Sequence, residues 1–291
     1  MGNAQQTVLI TGATDGLGRA AALLLAEKGY RVFAAGRSVE KRAELDRLAA
    51  NKKLPLESLE LDVCDDGSVN RAIQQVLQKA GNIDVLINNA GVGLMAVAEE
   101  LKLDDLRRLY ETNIFGLLRV TQAVLPHMRA RKAGRILMLS SVAGILTPPT
   151  YGAYSSSKHA VEALSNALRL ELYPFNIDVI LIEPGYIMTN FQQTAKDAAE
   201  SYIEGSNASP YAKIYEGAIA GATNSRRESK TTPEDCARVI LNAIESGHPK
   251  ARYTVTPLAR WAAIGRRVLP DTLMDSFLRR KFGIVREEEE D

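Results

Sequence analysis

Residues 7–30 read TVLITGATDGLGRAAALLLAEKGY. A short β-branched run, Thr7–Thr11, ends at Gly12, and from Gly16 onward the apolar residues recur at helical spacing. A glycine-rich loop that follows a strand and opens a helix is the context in which such a loop binds a dinucleotide. Gly12 allows a tight turn, while Gly16 and Gly18 let the backbone approach a pyrophosphate and let the helix pack on its sheet. The first helical turn offers unpaired N–H groups to the phosphates. The competing reading is a glycine-rich turn with no ligand.

Outward from this stretch the alternation repeats. RVFAAG (31–36) is strand-like, 38–51 a charged amphipathic helix, LESLELDV (56–63) a strand ending near Asp62, 66–80 a helix, and IDVLINNAG (83–91) a buried strand entering a glycine turn. A helical region over 103–132 has an expected break near Thr112–Asn113. GRILMLSS (134–141) and IDVILIEPG (177–185) are further strands, separated by a helix over 152–173 that stops before Pro174. Residues 190–230, rich in Ser, Asn, Gly, Ala and Tyr, read as a mobile substrate loop with short helices. Thr232 is the expected N-cap, and Pro233 the first residue, of a helix ending at Gly247; ARYTVT (251–256) is a last strand. Continuous apolar strands alternating with helices predict an α/β doubly wound parallel sheet of the Rossmann type, covered on both faces. The expected organisation is one domain over 1–256, a helical C-terminal extension over 257–286, and a solvated acidic tail over 287–291.

Composition narrows the function. The chain has 291 residues, 46% of them hydrophobic and 24% charged, with a net charge of +1. That charge gives no global field for nucleic acid. Cys64 and Cys236 are expected as reduced thiols. His127, His159 and His248 lack ligand spacing, so no metal is expected. The start shows no basic stretch followed by a long apolar run, Gln6 breaks a myristoylation pattern, and AALLLA (21–26) is too short to span a bilayer. These features predict a cytoplasmic protein.

The second strand addresses the cofactor. Sites for NAD usually place an acid at its end to hold the ribose 2′-hydroxyl. Here the segment is AAGRS (34–38), with Gly36 in that place and Arg37 and Ser38 after it. A guanidinium suits a 2′-phosphate, which an acid would repel, so NADP(H) is expected over NAD(H). The alternative for Arg37 is a solvated charge at a helix start, a place that disfavours cations.

YGAYSSSK (151–158) carries the chemistry. Tyr154 and Lys158 stand at i and i+4 on one helical face. A free phenol, with a pKa of about 10, is a poor base at neutral pH, and a nearby ammonium lowers that value. Such a pair can give a proton to a developing alkoxide or take one from an alcohol. Alone it is a common accident of an exposed helix. Support comes from Ser141 at the end of a predicted parallel strand, where ligands bind in open α/β sheets, from Asn113 at the helix break, whose exposed carbonyls can hold water, and from Asn89 in NNAG.

Together TGATDGLG, the DV of 62–63, NNAG (88–91), Asn113, the SS of 140–141, YSSSK (154–158) and PGYIMT (184–189) resemble the short-chain dehydrogenase/reductase family across roughly residues 7–256. The resemblance implies that Tyr154 is the acid/base, that Lys158 lowers its pKa and binds the nicotinamide ribose, that Ser141 orients the substrate oxygen, and that Asn113 holds a water in a proton relay to Lys158. It implies cofactor contacts from Gly12, Thr14, Asp15, Gly16, Leu17 and Gly18 of the loop, from Arg37 and Ser38, and from Asp62 and Val63 at the adenine. Asn89, Ala90 and Gly91 follow, then Ile187 and Thr189 at the carboxamide. Asp15 stands where some NADP-preferring members carry a basic residue, which opposes the Arg37 signal. The chain is most similar to the branch holding 17β-hydroxysteroid and retinol dehydrogenases, and the resemblance implies a homodimer or homotetramer.

A hydrophobic ketone or secondary alcohol is the expected substrate. Leu94, Met95, Ile145, Leu146, Tyr151, Tyr186 and Phe191 are its candidate pocket, with ordinary packing as the alternative. In the extension, Trp261, Leu269, Leu273, Phe277 and Leu278 are interleaved with basic residues. That pattern fits peripheral contact with an anionic membrane, a narrowing of the substrate entrance, or a helical cover with a solvated basic face. Two other functions compete: an NADPH-binding sensor without turnover, and a sugar-nucleotide epimerase or dehydratase, which uses the same Tyr/Lys pair. The latter usually shows a different glycine spacing and a larger C-terminal domain.

Overall fold

Short runs of β-branched and aliphatic residues form seven parallel strands: β1 (Thr7–Ile10), β2 (Arg31–Gly36), β3 (Leu56–Glu60), β4 (Val85–Asn88), β5 (Gly134–Leu139), β6 (Ile177–Glu183) and β7 (Arg252–Thr254). In the computed structural model they pair in the order β3-β2-β1-β4-β5-β6-β7. The structure describes residues 5–187, 191, 195, 200–205 and 209–284, except for the side chains of 225–228 and 267. The expected acidic tail over 287–291 lies outside these residues.

The helices between the strands are α1 (Gly16–Glu27), α2 (Val39–Asn51), α3 (Asp66–Ala80), α4 (Leu103–Tyr110), α5 (Leu117–Arg131) and α6 (Gly152–Glu171). After β6 come α7 (Glu200–Glu204), α8 (Ala212–Glu228) and α9 (Pro233–Glu245), and after β7 come α10 (Pro257–Val268) and α11 (Asp271–Lys281). Alternate strand residues bury into two separate cores. Leu9, Phe33, Leu86, Ile136 and Leu181 pack with α3, α5 and α6. Val8, Ile10, Val32, Ile87, Leu137 and Ile180 pack with α1, Leu45 of α2 and α9. Burial on both faces is why the strands carry apolar runs instead of alternating. The strand order reverses between β1 and β4, which pair in register from Val8–Val85 to Ile10–Ile87, and this opens a crevice at their carboxyl ends.

Two departures from the sequence expectations have physical causes. The expected break at Thr112–Asn113 is a π-helical stretch, Glu111–Gly116, that joins α4 to α5 without ending the helix. It keeps Asn113 buried, at 1% exposure. Residues 212–228 form one long helix where short ones were expected. Alanine and glycine there serve contact: a Cβ on Gly221 would meet the Phe282 ring at 2.8 Å, and one on Gly217 would strike the Phe282 carbonyl. The extension is thus seated on α8 through Phe282, while Ala259, Ala262 and Met274 turn inward. Thr232 caps α9 as expected, its hydroxyl accepting from Asp235 N while the Asp235 carboxylate accepts from Thr232 N. Among the described residues no helix is long and apolar enough to cross a membrane.

Candidate active site

The crevice begins at the start of α1. Asp15 caps this helix by accepting from Gly16 N at 2.7 Å. Gly12 lies at φ +62°, and a Cβ there would sit 2.9 Å from the Ala90 Cα; at Gly18 a Cβ would lie 2.4 Å from both the Asn89 amide and the Gly12 carbonyl. Asn89 Nδ2 donates to the carbonyls of Thr11 and Gly12 at 2.9 and 3.0 Å. Asn89 therefore pins the loop to the end of β4.

Gly12, Asp15, Gly16, Leu17, Gly18, Asn89, Ala90, Gly91, Ser141, Tyr154, Lys158 and Ile187 all line one cleft of about 360 Å³. Thr189 lies outside the described residues. The remaining expected cofactor residues stand around the ends of β2 and β3. Thr14 packs against Gly36, whose added Cβ would meet it at 2.5 Å. Arg37 approaches Asp62 at 3.7 Å and is largely exposed. Ser38 caps α2, accepting from Lys41 N and donating to Glu40. Asp62 also accepts from Cys64 N, and Val63 fills the space over Gly116. Lys41 pairs with Asp15, and this hydrogen bond holds the Asp15 carboxyl below the usual carboxylate range.

At the far end of the cleft, α6 carries Tyr154 and Lys158 up to the carboxyl end of β5. Lys158 Nζ donates to the Leu139 carbonyl at 2.7 Å and lies 5.8 Å from the Tyr154 ring centroid. Ser141 caps the short 3₁₀ turn Val142–Gly144 and accepts from Ala143 N at 3.1 Å. Sequence reasoning expected Lys158 to bring the phenol down. In the structure burial pushes Tyr154 up to about 12, and the group that opposes this is the hydrogen bond with Ser141. Burial also pushes Lys158 down to about 8, against the pull of Glu162. The phenol is therefore protonated at neutral pH and suited to giving a proton away.

Asn113 does not present an open amide. Its Oδ1 accepts from Val92 N at 2.8 Å, and its Nδ2 donates to Val92 O and to Ser157 Oγ at 3.0 and 3.1 Å. It clamps the chain that leaves β4. The apolar wall is also smaller than expected. Tyr151, Tyr186 and Phe191 line the cleft with Pro148 and Val142. The rings of Tyr151 and Phe191 lie 6.4 and 5.8 Å from that of Tyr154. Leu94 and Met95 pack into a small core with Tyr154, Tyr202 and Tyr215 without lining the cleft, and Ile145 and Leu146 do not line it either. Sequence reasoning missed Glu162 and Arg252, which meet across α6 and β7. The spacing of Glu162 from Lys158 was visible, but its partner was not.

Residues 6–200 match the family model described as short chain dehydrogenase. The chain belongs to this family, and is an oxidoreductase of the Rossmann type. A 3-ketodihydrosphingosine reductase from Bacteroides thetaiotaomicron is 33% identical, covering 94% of this chain and 97% of its own. Human 17-beta-hydroxysteroid dehydrogenase type 1 is 34% identical over 87% of this chain and 78% of its own length. The solved closed form of serine dehydrogenase complexed with NADP+ aligns with a TM-score of 0.73 at 27% identity, covering 87% of this chain and 95% of that one. A nicotinamide dinucleotide fits the short-chain dehydrogenase crevice seen here. Gly12 and Gly18 let the loop lie tight against Ala90 and Asn89 at the helix start, and the first-turn N–H groups of Leu17 and Gly18 are among those a helix leaves without an intrahelical partner.

The buried lysine has a consequence for stability. Its pKa is about 8 in the fold against an ordinary 10.5, so the unfolded chain holds its proton more strongly between those values. The charge weighs fully on the fold below about pH 8 and ceases to matter near 10.5. Lys158→Met should therefore raise the urea midpoint of the nucleotide-free protein at pH 7, and this advantage should vanish by about pH 10.5. Equal midpoints at both pH values would refute the assignment of a strained buried ammonium.

Proposed function

We propose that this protein is an NADP(H)-dependent oxidoreductase that transfers a hydride between the nicotinamide and a hydrophobic ketone or secondary alcohol, acting mainly as a reductase. The observation that carries the reading is the buried Tyr154 side chain, brought with Ser141 and Lys158 to one cleft walled by Tyr151, Tyr186, Phe191 and Pro148. When bound, the dinucleotide supplies the hydride to the carbonyl carbon. Ser141 orients the carbonyl oxygen, and Tyr154 gives that oxygen its proton. Lys158, fixed to Leu139, places an ammonium beneath the phenol as it loses the proton. Relatives named for a ketodihydrosphingosine and a hydroxysteroid support a bulky apolar substrate.

The preference for NADP(H) rests on the end of β2. Gly36 offers no carboxylate to a ribose, and the exposed Arg37 guanidinium, held only loosely by Asp62, can turn onto a 2′-phosphate. Ser38 and Lys41 add a hydroxyl and a second cation to the same corner. The substrate reading extends to the extension. Trp261, Ile264 and Val268 of α10, and Leu273 and Phe277 of α11, are exposed beside exposed Arg260, Arg266, Arg279, Arg280 and Lys281. An apolar face edged with cations fits an anionic lipid surface from which such substrates partition.

Tyr154→Phe should keep NADPH binding, read by cofactor fluorescence, while carbonyl-dependent NADPH oxidation over a panel of steroid, retinoid and long-chain ketones falls about 100-fold or more. Turnover equal to wild type would overturn the assignment, and absence of turnover in the wild type would favour a sensor. Arg37→Glu should reduce the NADPH-over-NADH ratio of kcat/KM by at least about tenfold, as expected for losing a charge-assisted phosphate contact and gaining a repulsion. Trp261 is the single tryptophan of the chain, so its emission reports the extension alone. Phosphatidylglycerol vesicles should shift it to the blue and pure phosphatidylcholine should not; no shift with either would remove the membrane reading.

A further inference from the structure

Arg252 reaches from β7 across β6 to α6. Its Nη1 donates to Glu183 Oε1 at 2.6 Å and to Glu162 Oε2, and its Nη2 donates to Asn166 Oδ1 at 3.1 Å. Glu162 and Glu183 are 7% and 1% exposed, so two carboxylates share one guanidinium inside the protein. The other oxygen of Glu162, Oε1, is buried without a hydrogen-bond partner, and so is the Ser140 hydroxyl. These groups crowd around Gly144. A Cβ there would lie 2.7 Å from Ser140 Oγ, 3.1 Å from Glu162 Cγ and 3.2 Å from the Lys158 carbonyl.

A half-satisfied buried carboxylate is costly and calls for a counter-charge. Arg252 is already shared with Glu183. The other cation on the same face of α6 is Lys158, one turn before Glu162. We propose that Glu162, held in place by Arg252 against Glu183, is a positioning residue that keeps the Lys158 ammonium charged at the active site. Neither Glu162 nor Arg252 lines the cleft, so both act through the lysine. The inference rests on the reading of Lys158 as the lysine of the hydride-transfer site.

The electrostatics have a definite sign. The titratable or charged groups beside Lys158 on α6 are Tyr154 and Glu162, and Glu162 in turn meets Arg252 of β7, which also holds Glu183 of β6; the end of β5 and the π-helical stretch contribute the neutral Ser140, Ser141 and Asn113. Burial already draws the lysine down to about 8, and the Glu162 carboxylate works against that. Neutralising Glu162 removes the opposing pull, so the lysine loses its proton at lower pH. Removing Arg252 leaves two uncompensated carboxylates, so the lysine keeps its proton to higher pH. A purely structural clamp would produce loosening in both variants and no such opposition.

The test is competitive labelling of Lys158 with trace acetic anhydride across pH 6 to 11, quantified by mass spectrometry, on full-length wild type, Glu162→Gln, Glu162→Asp, Arg252→Met and Arg252→Lys. This titrates the lysine without any turnover, so it stands even if no carbonyl substrate is reduced. The alkaline limb of kcat/KM provides the second readout. Glu162→Gln should move the lysine titration down by about one pH unit, a tenfold loss of proton affinity. Arg252→Met should move it up, and the charge-conserving Glu162→Asp and Arg252→Lys should stay near wild type. Shifts of one sign in Glu162→Gln and Arg252→Met, or none in either, would overturn the proposal. If Glu162→Gln fails to fold, an unmoved titration in Arg252→Met does so alone.

Discussion

The hydrogen bond from Lys158 Nζ to the Leu139 carbonyl ties α6 to the carboxyl edge of the sheet. It brings a buried cation to the point where β5 ends and the 3₁₀ turn of Ser141 begins. Because Lys158 is held there, Tyr154, one turn earlier on α6, is carried to the same edge and lines the cleft with Ser141. The contact is made in a place that disfavours the ammonium, as its depressed pKa records. Holding a charge where burial opposes it is characteristic of a reactive site more than of a structural pair.

The sheet supplies the matching half. The reversal of strand order between β1 and β4 leaves a gap above their carboxyl ends, and α1 begins there. The loop keeps its shape because Asn89 holds it by its own carbonyls and because Gly12 and Gly18, lacking a Cβ, let it lie against Ala90 and Asn89. Asn113 does the same for the chain leaving β4, through both ends of its amide. Asparagine suits both posts, since it offers a donor and an acceptor with no charge to desolvate. The two floors of the cleft, glycine loop and phenol, are thus held in register by neutral amides, while the charged pairs lie at its rim or beneath it.

Much of this was legible in the chain. RVFAAG and Asp66–Ala80 read as strand and helix at their observed bounds, because periodicity and capping are local. The glycine loop, Tyr154, Lys158 and Ser141 converge on one cleft because each sits at the end of an element whose direction the alternation fixes. What the sequence hid is non-local. The π-helical stretch around Asn113 has no compositional mark, since the residues that widen a helix also continue one. Leu94 and Met95 read as pocket, yet Tyr202 and Tyr215, about a hundred residues away, draw them into the core that packs behind Tyr154. The partnership of Glu162 with Arg252 depends on β7 joining the sheet beside β6, which no local pattern reports.

The charge states of the site bear on the direction of its chemistry. A phenol held near 12 is a weak donor to neutral water but a ready one to an alkoxide, whose affinity for the proton is higher still. For the reverse reaction the phenolate would have to form first, inside the protein, where burial opposes it. The lysine limits that opposition only while it is charged, and its own pKa near 8 means that this help fades as the medium turns alkaline. Oxidation of an alcohol gains from alkaline pH through the phenol and loses through the lysine, whereas reduction at neutral pH finds both groups already in the required form. In the proposed direction, carbonyl reduction, the step needs a protonated Tyr154 and a charged Lys158; burial supplies the first and erodes the second as the medium turns alkaline.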